Sequence, residues 1–232
     1  MLFHVGIENN SEGSRSIAWA LEHPGCYAYG KDADSALAAF PAALRAYSFW
    51  INQHESSWLH VQNIETSVDG IWNNHTVDGK PERVEASETD RKTVEFQYDW
   101  KPLTGEEIEQ GLKLLAWSRA DLLKTIEGLS AEKLDQTYPG ERWSINGILH
   151  HIGGGEWWCM DRLGRGFPQS ELPKAPMECL EKVRLTFREL LPTLEGVKRV
   201  AGADGEFWSP RKALRLALWH ERDHTEHIHK LL

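Results

Sequence analysis

The sequence predicts two segments of different build: an α+β segment over residues 1–98 and an all-α four-helix bundle over residues 104–232. Three observations carry this prediction. Short apolar runs between turn residues dominate the first hundred positions, whereas apolar residues recur at helical spacing after position 104. Asp99-Trp100-Lys101-Pro102-Leu103 reads as a linker between the two, because Pro102 discourages continuation of either kind of element. Charge divides at the same place: residues 1–100 carry 7 basic and 15 acidic side chains, residues 101–232 carry 19 and 20.

Composition narrows the function classes. At 41% hydrophobic and 26% charged, the 232 residues can bury a core in one large or two small domains. No apolar run approaches the ~20 residues of a membrane span. Met1-Leu2-Phe3-His4 lacks the charged and apolar regions of a signal peptide, so a cytoplasmic protein is expected. A net charge of −9 and a pI near 5.7 argue against nucleic-acid binding, which favours a basic face. Cys26, Cys159 and Cys179 are too few and too scattered for a disulfide framework or a CxxC metal pair.

In the first segment, Leu2, Phe3, Val5 and Ile7 form an apolar run that ends at Asn9-Asn10-Ser11-Glu12-Gly13. Residues 17–21 form a second run, Pro24-Gly25 a turn, and residues 26–29 a third. All three read as strands. Asp34-Ser35 can cap an Ala- and Leu-rich helix over residues 35–52, with Pro41 predicting a kink or a late start. Residues 61–68 and 93–98 read as two further strands, and the polar stretch 69–92 between them as a long loop.

The stretch Ser16-Ile17-Ala18-Trp19-Ala20-Leu21-Glu22-His23-Pro24-Gly25-Cys26-Tyr27-Ala28-Tyr29-Gly30, with the Ala-rich helix behind it, resembles the HicB-like fold over about residues 15–55. The resemblance implies a strand–turn–strand–helix module that binds a protein partner. Pro41 and the Trp-rich stretch that follows depart from the pattern, and no basic DNA-binding element comes after it. Cys26 reads as a small buried residue beside the turn.

In the second segment, Thr104-x-x-Glu107 is a capping box. Behind it Ile108, Leu112, Leu115, Leu122, Ile126 and Leu129 define a helix that runs to about Gly128. Ser144 can cap a second helix, with Trp143 and Ile148 as a hydrophobic staple. Pro176 opens a third, with Met177, Leu180, Phe187, Leu191 and Leu194 on its apolar side and Pro192 near its end. Ser209-Pro210 opens a fourth, which continues to the C-terminus. Four amphipathic helices in about 130 residues make a four-helix bundle.

The last helix carries His220, His224, His227 and His229. At 100° per residue His220 and His224 lie about 40° and one turn apart. They follow the spacing of Ala217, Ile228 and Leu231, which places them on the inward seam and suits two-point chelation of one ion. His220 and His227 are ~10 Å apart along the axis, too far for one ion to hold all three. A third ligand must come from another helix, and His150-His151 offers one. The apolar stripe Ile145, Ile148, Leu149, Ile152 and Leu163 puts both histidines on its flanks, so periodicity does not choose between them.

The pairing of Trp143-Ser144-Ile145-Asn146-Gly147-Ile148-Leu149-His150-His151-Ile152 with Trp219-His220-x-x-x-His224-x-x-x-Ile228 resembles the DinB superfamily over about residues 104–232. That resemblance implies a four-helix bundle with a divalent-metal site. Its ligands are a histidine eight residues after the Trp and two from an HxxxH on the last helix, here His151, His220 and His224. It also makes His227 a group behind the ligands. It implies either thiol-dependent transfer with a low-molecular-weight thiol or metal-dependent hydrolysis of a small molecule. A homodimer follows too, with Trp157, Trp158 and Trp208 as contact surface. Imidazole donors suit zinc or nickel, and three ligands leave one position open for water or substrate.

Other candidates are weaker. Glu156 either orients a ligand, acts as a base or reaches solvent, and Glu221 and Asp223 read as solvated. Gly153-Gly154-Gly155 follows no strand and so is not a phosphate loop; it permits close backbone approach inside a helix. The alternative to a metalloprotein is an interaction protein. In it the HicB-like segment binds a partner and the metal is structural or absent.

Overall fold

The computed structural model describes residues 1–11, 15–55, 58–73, 93–198, 200–203 and 206–232. Met1–Lys101 with Ala203–Phe207 form one compact unit; Pro102–Gly202 with Trp208–Leu232 form the other. Among the described residues no helix is long and apolar enough to cross a membrane.

The first unit is a four-stranded sheet with one long helix. Strands β1 (Leu2–Ser11), β2 (Arg15–Ala20) and β3 (Tyr27–Gly30) form an antiparallel meander, and β4 (Glu65–Asn73) lies parallel to β1, in the order β3-β2-β1-β4. The β2–β3 connection turns at Gly25, whose φ of 86° suits glycine. There the Tyr47 hydroxyl donates to the Pro24 carbonyl at 2.7 Å, and Cys26 is buried beside the turn.

Helix α1 (Ala33–His54) joins β3 to β4. Asp32, not Asp34, is its N-cap and forms a capping box with Ser35. The helix runs through Pro41 rather than starting late. Ala36, Phe40, Leu44, Tyr47 and Ile51 make a buried stripe along it, and that burial outweighs the one backbone hydrogen bond a proline removes.

Two expected strands differ from the structure, for one reason: pairing, not local apolarity, makes a strand. β4 begins at Glu65 and continues to Asn73, into the stretch expected to be loop, because its backbone pairs with β1 from Leu2↔Glu65 to Asn9↔Asn73. Residues 74–92 of that expected loop lie outside the described residues. Residues 93–98 form no strand and lead into a 3₁₀ turn, Gln97–Trp100. Val94 and Phe96 are nevertheless buried. The Phe96 ring lies on the paired glycines Gly6 and Gly70, where an added Cβ would come within 2.5 Å and 3.0 Å of it. Thr93 donates to the Glu206 carboxylate through both its backbone N–H and its hydroxyl.

The second unit holds four long helices, α2 (Gly105–Thr125), α4 (Ile145–Arg162), α5 (Pro176–Leu190) and α6 (Pro210–Leu231), with a five-residue α3 (Ala131–Asp135) that sequence reasoning missed. Thr104 and Glu107 form the capping box of α2. Ser144 caps α4 and Ser209 caps α6, each accepting a backbone N–H three residues on. α4 packs against both α5 and α6, and α2 against α6. Leu122, Ile145, Ile148, Leu149, Ile152, Leu180 and Ile228 form the core. Met177 departs from its expected inward place and is 47% exposed; the buried side of α5 carries Cys179, Leu180, Val183, Arg184 and Phe187 instead. Among the described residues, strands β5 (Ala201–Ala203) and β6 (Glu206–Trp208) form a two-stranded sheet apart from the four-stranded one.

Two of the three tryptophans expected on a contact surface are buried in this chain. Trp208 is fully buried and packs edge-on to Trp158 at 4.8 Å, while Trp157 is buried and its indole N–H donates to the Phe167 carbonyl. Leu149→Ala should cost about 2–5 kcal/mol in chemical denaturation, since Leu149 is fully buried in the bundle core, whereas Leu185→Ala, at an exposed site, should stay within about 0.5 kcal/mol.

Candidate metal centre

The innermost line of α6 runs through Leu214, Leu218, Glu221, Thr225 and Ile228, at spacings of three and four. His220 and His224 therefore flank the inward seam instead of occupying it, as their match to Ala217 and Ile228 had led one to expect. Both are half-buried.

His151 reaches them from α4. Its Nε2 lies 3.0 Å from Nε2 of His220. The three ring centroids form a near-regular triangle, 4.7 Å between His151 and His220, 4.9 Å between His151 and His224, and 4.5 Å between His220 and His224. One ring nitrogen of each lies within 4.8 Å of the others. Nitrogens bound at about 2.0–2.1 Å around one tetrahedral ion sit roughly 3.3 Å apart, so small ring movements suffice to close the set on an ion.

Local packing explains why His151 points there. Trp143 lies on the His151 ring at 4.4 Å and 31°, and Gly147 clears space for it, since an added Cβ would come within 2.8 Å of the Trp143 Cβ. Across the site Gly155 does the same for His220, whose Cε1 would be 2.5 Å from an added Cβ. The three-glycine run thus serves close approach: Gly155 faces His220, and Gly153 faces Cys179 of α5.

The remaining histidines point elsewhere. His150 Nε2 lies 3.3 Å from the Pro173 carbonyl and His229 Nε2 lies 3.0 Å from the Thr125 hydroxyl. His227 Nε2 lies 2.9 Å from the Glu141 carboxylate, on the exposed side.

Three unprotonated imidazoles are what a divalent cation requires. Burial, then the proximity of His224 and His151, holds His220 well below its usual range. Burial, then His151 and His227, pushes His224 down to about 3. Nδ1 of His224 is buried without a hydrogen-bond partner among the described residues. The donor set fits zinc or nickel, both of which accept neutral imidazole.

Beneath the histidines lies a second cluster. Glu221, expected to be solvated, is 1% exposed, and Glu156, expected to orient a ligand, act as a base or reach solvent, is 3% exposed. Arg119 Nε donates to Glu221 at 2.7 Å and its Nη2 to Glu156 at 3.0 Å. Arg184 Nε donates to Glu156 at 2.6 Å, and its Nη2 to both carboxylates. The guanidinium of Arg119 also donates to the Leu180 carbonyl, and that of Arg184 to the Leu115 carbonyl. Each long helix contributes one charge, and the set is neutral. Burial alone would raise the Glu221 carboxyl; Arg184 and Arg119 overcome it and hold it below its usual range. The available signal was the placement of Glu156 and Glu221 at core spacing, each matched by an arginine at core spacing on another helix.

Residues 114–228 match the model of the DinB superfamily. A solved structure described as YfiT from Bacillus subtilis, a probable metal-dependent hydrolase with an unusual four-helix bundle topology, is similar at 20% identity. The similarity covers 60% of this chain and 91% of that one, with a TM-score of 0.46. No curated protein matches.

The depressed histidines set a pH dependence for the metal-free protein. Below about 6.5 the unfolded chain takes up protons that the folded His224 refuses until about 3, so stability is full above 6.5 and falls as pH drops through that window. Urea denaturation in chelator should show the protein losing stability between about pH 7 and about pH 5, and His224→Gln losing less over the same interval.

Proposed function

We propose that this protein holds one divalent ion, zinc or nickel, on His151, His220 and His224, and acts with it on a small molecule. The observation that carries this reading is the convergence of three imidazoles from two helices at the half-buried flank of the bundle. The DinB match over residues 114–228 supports it. Three protein ligands leave a position open, the pattern of catalytic rather than closed structural sites. A bound ion supplies there either a stabilised thiolate, for a thiol-dependent transfer, or an activated water, for hydrolysis.

The chain's own residues do the rest. His220 and His224 present two donors from successive turns of α6, and Trp143 holds the His151 ring against them. Glu156 and Glu221 are engaged by two arginines each, so neither serves as the base. His227, on the neighbouring turn of α6, pairs with Glu141 from the segment before α4, and we assign it a supporting role beside the ligands.

A second reading concerns the first unit, which we propose to be HicB-like and to engage a protein partner. Strand β4 supports it: it lies at the end of the sheet order and exposes Val68 and Ile71. A stable partner bound to residues 1–98 would favour this reading, and a thiol-transfer or hydrolytic activity the first.

Metal analysis of untagged protein, before and after chelation, tests the centre. About one ion per chain is expected. His151→Ala, His220→Ala and His224→Ala should each weaken binding by about 10-fold or more, because each removes a direct ligand. His150→Ala and His229→Ala should bind as wild type, and His227→Ala should fall between. Loss of binding in His150→Ala with retention in His151→Ala would overturn the ligand assignment.

A further inference from the structure

The four-charge cluster is the feature that the proposed function does not use directly, and its position relative to the histidines is specific. On α6 Glu221 directly follows His220, and on α4 Glu156 directly follows Gly155, the residue whose missing side chain admits the His220 ring. Arg119 and Arg184 bond both carboxylates and the Leu180 and Leu115 carbonyls, so the cluster ties α4 and α6 to each other and to α2 and α5.

Helix geometry converts this tie into a constraint on the histidines. Measured around α6 from Glu221, His220 lies about 100° and His224 about 60° to the same side. Fixing the direction of Glu221 therefore fixes both. A rotation of α6 by about 10° moves an atom ~5 Å from its axis by roughly 1 Å. Metal–nitrogen distances tolerate only about 0.2 Å. Apolar packing alone permits small rotations, because a methyl group slides over its neighbours at little penalty. Directional, charge-assisted hydrogen bonds at 2.6–3.1 Å do not.

We propose that Arg119, Glu156, Arg184 and Glu221 are the positioning residues of the histidine centre: they set the rotation of α6 against α4 and so hold His220 and His224 on the point His151 faces. This rests on the metal reading of that centre. A purely stabilising role is the alternative, and the two separate because a buried ion cluster contributes little net stability relative to apolar residues of similar volume.

The test uses the full chain with Arg119→Met, Glu156→Leu, Arg184→Met and Glu221→Leu combined, and cobalt(II) as the probe. The expected result is a folded protein whose thermal midpoint is close to wild type, whose cobalt affinity is about 10- to 100-fold weaker, and whose visible absorption band is altered. Cobalt affinity within about threefold of wild type, with the same band, overturns the proposal. If the combined variant does not fold, Glu221→Gln is compared with Leu191→Ala, a buried site two turns along from Arg184, at a temperature where both are folded. A tenfold or greater loss of cobalt affinity in Glu221→Gln alone supports positioning, and equal effects in the two overturn it. Failure of the wild-type chain itself to bind cobalt would instead overturn the metal reading.

Discussion

Two arginines and two glutamates, one from each long helix, meet in the middle of the C-terminal unit, and the arrangement of that unit follows from the need to satisfy them. An unpaired charge at 1–9% exposure is strongly destabilising, so each of the four requires the other three. That requirement fixes which face of α2, α4, α5 and α6 turns inward. It also explains why Glu221 and Thr225, rather than the flanking histidines, lie on the deepest line of α6. Apolar residues such as Ile148, Leu149 and Ile228 fill the space around the cluster, and their burial supplies the driving force. The charges supply direction, which a hydrophobic core by itself does not.

The histidine centre sits at the boundary between this buried interior and the surface. It is buried enough for His220 and His224 to remain uncharged, and both side chains stay partly exposed. Two glycines make the close approach possible. Gly147 admits Trp143 against His151, and Gly155 admits the His220 ring against α4. Neither glycine is needed for backbone conformation, since both lie within α4. Their role is volume: a methyl group at either place would displace an aromatic ring in contact with the site.

The first unit shows the same economy of small residues. Gly6 and Gly70 are partners across the β1–β4 pair and together form a flat floor for Phe96. A residue that reads as part of a strand is thereby buried on top of one. The chain's return at 203–207 is held there in part by the Glu206 carboxylate, which accepts two hydrogen bonds from Thr93.

The sequence by itself determined the elements whose signals are local. The Thr104–Glu107 capping box, the Ser144 and Ser209 caps, Gly25 in its turn and the four long amphipathic helices are all where side-chain chemistry within a few residues puts them. The one-turn spacing of His220 and His224 was equally legible, because helix geometry alone puts them on one side. Tertiary structure decided what depends on a distant partner. β4 is a strand because β1 is beside it, and residues 93–98 are not one because no strand among the described residues pairs with them. Periodicity left His150 and His151 equivalent on the flanks of α4; the fold turns His150 toward Pro173 and His151 toward α6. Glu221 read as a solvated group, and the role of Glu156 stayed open, because a carboxylate in isolation belongs in water. Only the arrival of Arg119 and Arg184 from two other helices makes burial the lower free-energy state, and the core spacing of a charge within one helix does not say which distant charge it meets.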